Sequence, residues 1–144
     1  MSIQARQNLC DHLVFQDDSQ QPDLMNPSLT QTQLIALLLD LVNAGFHMEI
    51  TAVRTDHSDD SALGEHCHAN GYCADLWPLG SSTPGDYLDA TNPYFQQFLE
   101  AAAASPWLYQ IGLAGSAWTA SNAAAAGPTV FQDDGQDHIH LGAE

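Results

Sequence analysis

The chain has no lysine and only two arginines, Arg6 and Arg54, against 18 acidic residues. The formal net charge of −16 over 144 residues argues against a surface that grips nucleic-acid backbones or anionic lipid, because like charges repel. Cationic groups and divalent metals are the partners such a surface tolerates. For most of the acids, solubility in a salty or crowded setting is the plainer role. Cysteine is scarce as well. Cys10, Cys67 and Cys73 are odd in number and form no C-x-x-C pair, which argues against a thiolate zinc knuckle or a redox dithiol. They read as small buried thiols, with a Cys67–Cys73 disulfide as the alternative in an exported chain. Long apolar runs are missing. The longest, 34–39, belongs to an amphipathic segment, so no membrane partner is expected. The stretch to Asn8 has one positive charge and no apolar core, so no secretory signal is expected. There is no P-loop, no G-x-G-x-x-G and no G-x-S-x-G, which removes the usual phosphate, dinucleotide and serine-hydrolase signatures.

What remains is an ordinary globular composition, 44% hydrophobic and 14% charged, in a length that favours one core. Residues 1–27 are polar and rich in Gln, Asp, Asn and Pro. They read as an extended arm with a short strand at Leu13, Val14 and Phe15, leaving 28–144 as the domain proper. Ser28 or Thr30 can cap a helix running to about Asn43, with Leu34, Leu37, Leu38, Leu41 and Val42 on one face and Gly45 ending it. Residues 46–53 alternate as a strand does, with Phe46, Met48, Ile50 and Ala52 on one face and Arg54 at its end. A polar loop follows over 55–65, then a strand over 72–79 and a turn-rich connection over 81–92. Pro93 opens a helix to Ala104 with Tyr94, Phe95, Phe98 and Leu99 as its buried side. Residues 107–113 read as a strand and 115–128 as a loop or short helix. Short strands at 129–132 and 138–141 flank an Asp133-Asp134-Gly135 turn. The connections do not suit βαβ crossovers, so the expected class is α+β, with helices packed on a central antiparallel sheet.

Two clusters carry the chemistry. The first, His68-Ala69-Asn70-Gly71-Tyr72-Cys73-Ala74-Asp75, holds a His and an Asp with a glycine between them. The second is Asp137-His138-Ile139-His140. His68, Asp75 and His140 supply two imidazoles and a carboxylate, enough for three zinc ligands with one coordination position left open. Asp137 is a spare carboxylate able to handle a proton, and that inventory is what metal-assisted hydrolysis needs. His68 and Asp75 are an odd number apart and cannot share a face of one strand. Gly71 resolves this by turning the chain, so that His68 lies on the loop entering the strand while Asp75 projects from it. His138 and His140 share a strand face, and Asp137 needs a bulge or the strand start to aim at the same ion. With seven histidines in the chain, any single one is more often a surface or core residue. The combination at the ends of two strands, with an arginine nearby, carries the weight.

Residues 50–79 together with Asp137, His138, Ile139, His140 and Leu141 resemble peptidase family M15. That group holds the D-Ala-D-Ala carboxypeptidases, VanX-like dipeptidases and phage L-alanyl-D-glutamate endopeptidases, and shares its fold with the Hedgehog signalling domain. Its pattern, S-x-H-x-x-G-x-A-x-D followed by a distant E/D-x-x-H, is matched in spacing by His68, Gly71, Asp75, Asp137 and His140. The stretch Ile50-Thr51-Ala52-Val53-Arg54 is similar to the family's strand that ends in an arginine. Three positions depart from the pattern: His66 stands for the serine, Cys73 for the alanine, and His138 where tryptophan is common. His66 and His138 can compete as ligands or bind a second ion. The resemblance implies Zn2+ held by His68, Asp75 and His140, with Asp137 moving the proton. Arg54 would then stabilise an oxyanion or grip a substrate carboxylate. It also implies a peptidoglycan stem-peptide substrate. With no leader expected, a phage-encoded, virion-associated enzyme is the setting that fits.

Plainer readings stand beside these. Arg54 can pair with Asp56 or Asp59, and the Asp56/Asp59/Asp60 group with Ser58 lacks the order of a calcium loop. Trp77, Trp107, Tyr109 and Trp118 fit packing better than a ligand groove. A virion structural or binding domain that keeps the fold, with virion proteins as partners, is the non-enzymatic alternative, and an unrelated acidic metal-binding protein is a third.

Overall fold

The computed structural model describes residues 1–57, 68–79, 93–114, 130–133 and 138–144. Among the described residues, four α-helices and six strands build an α+β arrangement, as the sequence pattern predicts at the level of class. The helices are α1 (Ile3–Cys10), α2 (Gln20–Met25), α3 (Thr32–Asn43) and α4 (Pro93–Ala104). The strands are β1 (Leu13–Phe15), β2 (His47–Ala52), β3 (Cys73–Leu79), β4 (Leu108–Ala114), β5 (Val130–Asp133) and β6 (Ile139–Ala143).

Helix α3 follows its leucine stripe, burying Leu34, Ile35, Leu37, Leu38 and Leu41. Gly45 at φ 96° lets the chain leave the helix in the left-handed region. In β2 the alternation puts Met48, Ile50 and Ala52 inward. Register pairs Ile50 with Leu76, Leu76 with Ile139, and Ala74 with Leu141, so one continuous apolar face runs across the sheet. Helix α4 adds Phe95, Phe98, Leu99 and Ala102 to the same core, with Phe46 edge-on to Phe98 at a centroid distance of 5.3 Å. Burial of each such side chain contributes about 1.5–3 kcal/mol before entropy is counted.

The sheet order is β1-β2-β3-β6-β4-β5 and the sheet is mixed, not antiparallel throughout. β1 runs parallel to β2 and β5 parallel to β4. The β1 to β2 connection is a crossover through α2 and α3, which corrects the expectation that no such unit is present. β5 and β6 are not neighbours either, because β4 lies between them.

The polar stretch 1–27 is not an extended arm. Ser2 Oγ accepts from Ala5 N–H and caps α1, while Leu9 and Leu24 are fully buried in the common core. The residue that fastens α1 is Arg6, 1% exposed, which donates to Leu24 O at 2.6 Å, Thr30 Oγ1 at 2.8 Å and Thr30 O at 2.9 Å. A charged side chain thus occupies the inward position that a search for apolar periodicity looks for. Thr30 does not cap α3; its hydroxyl is spent on this contact and on Asp23 O at 2.9 Å. Asp59 and Asp60 of the acidic cluster, which lacks calcium-loop order, the 81–92 connection, the 115–128 stretch with Trp118, and most of the Asp133-Asp134-Gly135 turn lie outside the described residues.

Candidate metal centre

Two of the three candidate ligands are placed by strand register. Asp75 on β3 stands opposite His140 on β6, and His140 in turn stands opposite Gly112 on β4. Opposed residues of an antiparallel pair share a face, here the one turned away from the Leu76 and Leu141 side. The third ligand, His68, opens a 3-10 turn (His68–Asn70) that leads into β3. Gly71 ends that turn at φ 76°, and a Cβ there would collide with Leu29 O. Gln31 N–H donates to Gly71 O at 2.9 Å, and Gln31 Nε2 to Asn70 O at 3.3 Å. The turn therefore lies flush on the chain just before α3, which only glycine permits.

The three donor atoms converge. His68 Nε2 lies 3.1 Å from Asp75 Oδ1 and 3.1 Å from His140 Nδ1, and His140 Nδ1 lies 2.9 Å from Asp75 Oδ1. All three residues are buried, and they form a group able to hold a metal ion. The other nitrogen of His68, Nδ1, is 2.6 Å from Val53 O. A carbonyl oxygen only accepts, so Nδ1 carries a proton, and whenever the ring is neutral the lone pair is on Nε2, facing the carboxylate. Three electron-rich atoms this close require a positive centre among them, a proton or a metal ion. Tetrahedral ligands about 2.0–2.1 Å from zinc are separated by about 3.3–3.4 Å, so the triangle needs to open by only a few tenths of an ångström. Burial alone would raise the Asp75 pKa, but hydrogen bonds from His140 and His68 and the charges on those rings outweigh it. The carboxyl is held well below the usual range.

A second layer supports the first. Val53 follows β2, and its N–H donates to Asp56 Oδ1 at 2.9 Å, fixing the carbonyl that orients His68. Asp56 is held from the other side by Gln20 Nε2 at 2.9 Å. Arg54 N–H and Thr55 N–H both donate to Asp23 Oδ2, at 3.1 and 2.6 Å, and Thr55 Oγ1 donates to Asp23 Oδ1 at 2.6 Å. The Arg54 side chain, half-buried, donates from Nε to Ala69 O at 2.9 Å, next to His68.

The fold therefore brings His68, Asp75 and His140 together and sets Arg54 beside them. Asp137, His66 and Cys67 lie outside the described residues. His138 is near, with Nε2 3.7 Å from Asp75 Oδ2. The Asp23 brace has no motif in the sequence; its only local signal is an acid early in a short helix. Trp77 is fully buried, as packing predicts, whereas Trp107 is 39% exposed. No protein-family model, curated protein or solved structure matches the chain. The likeness to M15 peptidases accordingly stands on the motif residues alone.

Proposed function

We propose that the chain is a zinc-dependent peptidase acting on peptidoglycan stem peptides, at a bond involving a D-amino acid, as a carboxypeptidase or an endopeptidase. The observation that carries the reading is the convergence of two imidazole nitrogens and one carboxylate oxygen within 3.1 Å, with His68 held in its donor tautomer from behind. Zinc bound there would supply Lewis acidity and lower the pKa of a water toward neutrality. Asp137 would accept the proton and pass it to the leaving amine. Arg54 has Nε tied to Ala69, and its terminal nitrogens would face a developing oxyanion or a substrate carboxylate. A phage-encoded, virion-associated setting fits this substrate. No helix among the described residues is long and apolar enough to cross a membrane.

The test is hydrolysis of purified peptidoglycan and of D-Ala-D-Ala peptides. Activity should disappear with a chelator and return with zinc; hydrolysis indifferent to chelation would remove the proposal. A second reading, a virion structural or binding domain with a structural ion, draws support from burial, since His68, Asp75 and His140 are 0%, 4% and 2% exposed. Asp137→Ala separates the two. It should abolish turnover and spare zinc in an enzyme, and change no measurable function in a structural domain.

A further inference from the structure

The two oxygens of the Asp75 carboxylate face different neighbours. Oδ1 is turned to the ligand nitrogens of His140 and His68, at 2.9 and 3.1 Å. Oδ2 is turned to His138, whose Nε2 is 3.7 Å away. That gap is too short for a bridging water, which needs about 4.5 Å or more between the atoms it joins. It exceeds a direct hydrogen bond by a few tenths of an ångström, a distance that a small side-chain rotation closes. His138 precedes His140 by two residues at the entry to β6, so strand alternation puts it on the same face as the ligands. It also differs from them in exposure. Its side chain is 19% accessible, against 0% for His68, 6% for Asp75 and 2% for His140.

We infer that His138 is a positioning residue for the metal-binding carboxylate. It takes Oδ2 and so leaves Asp75 to bind the ion through Oδ1 alone. Without such a partner, a carboxylate beside a divalent cation can swing to chelate with both oxygens, which fills the position that a water or substrate needs. His138 also stands at the solvent margin, so the open position lies on the side it borders. This inference rests on the metal reading above and adds to it the residue that keeps the site open.

The experiment uses the whole chain, with Zn2+ competed against a chromophoric chelator and Co2+ read by its visible spectrum. His138→Ala should bind Zn2+ about 10–100-fold more weakly, as removal of a ligand's hydrogen-bond partner does elsewhere. Its Co2+ bands should weaken as the coordination number rises. His138→Gln, whose side-chain amide can still donate near the same place, should recover most of the affinity and the wild-type spectrum. Three results overturn the inference: unchanged affinity and spectrum in His138→Ala, a Gln variant as defective as the Ala variant, or a Co2+ spectrum showing loss of a directly bound nitrogen. The first two leave the three-ligand site intact, and the third makes His138 a fourth ligand that fills the open position. Wild-type protein that takes up neither ion removes the metal reading itself and this inference with it. Melting curves accompany each variant, and the partial exposure of His138 leads us to expect little change in them.

Discussion

Asp75 and His140 stand directly opposite one another on β3 and β6, with Oδ1 of one 2.9 Å from Nδ1 of the other. Two ligands of the candidate site are thus fixed by backbone pairing and need no loop to deliver them. A slip of one residue in β6 would bring Ile139 or Leu141 opposite Asp75 and drive His140 into the helix-covered core. The apolar face and the ligand face therefore enforce the same register.

Replacing one member of this pair should abolish tight metal binding without unfolding the chain. Asp75→Asn and His140→Ala are each expected to lower Zn2+ affinity by at least 100-fold in chelator competition. Wild-type uptake should fall as the pH is lowered, because protons compete with the metal for the ligand atoms. Zinc at 100 times its Kd should raise the stability of wild type by about 2.7 kcal/mol, and that of neither variant. Equal thermal shifts in all three proteins would refute the site.

Gly71→Ala should be far worse than Gly45→Ala, although both glycines have positive φ. At Gly45 a Cβ meets nothing within 4 Å, so only the backbone preference is lost, about 1 kcal/mol. At Gly71 the methyl meets Leu29 O, and the turn carrying His68 must move. We expect about 2–4 kcal/mol in urea unfolding, together with weaker metal binding. Equal costs at the two positions would show that the turn is not seated as described.

Asp23→Ala should act at a distance. It removes the acceptor of the part-buried N–H groups of Arg54 and Thr55, at a cost of about 1–2 kcal/mol. It should also loosen the segment that presents Val53 O to His68. A drop in Zn2+ affinity larger than in a surface variant of similar stability would register this coupling.

Cys10 is pushed up to about 11, chiefly by burial and secondarily by Asp11, with Arg6 opposing. The folded value lies above the unfolded one, about 8.5, so the contribution to stability is complete below that pH. It is lost as the pH rises toward the folded value. Wild type should weaken between about pH 8.5 and 11 more steeply than Cys10→Ala, in denaturant titrations at each pH. The native thiol should resist iodoacetamide at pH 8.

Where side chains announced themselves, the sequence was enough. Helix α4 spans Pro93–Ala104, as the proline and the aromatic spacing predict, and β2 shows its alternation. The His68, Gly71 and Asp75 spacing encodes a turn, a positive φ and a strand, all local features. Long-range pairing was not legible. Three residues of β1 carry no sign that they pair in parallel with β2, and β6 inserts beside β3 through contacts no short window records. The N-terminal helices were hidden for another reason. α1 points Arg6 inward, and α2 points in Gln20 and Asp23, which reach Asp56, Arg54 and Thr55 more than thirty residues away.

The position of β6 has a bearing on how the molecule is made. Synthesis runs from the first residue onward, yet this strand, which follows the other five in the chain, lies between β3 and β4. Until residues 139–143 are made, β3 and β4 lack the strand that joins them, and any strand already formed there would present an open edge, a feature prone to sticking to other chains. A nascent polypeptide also lacks His140 for that whole period, so the His68, Asp75 and His140 group is completed only when the last strand is in place.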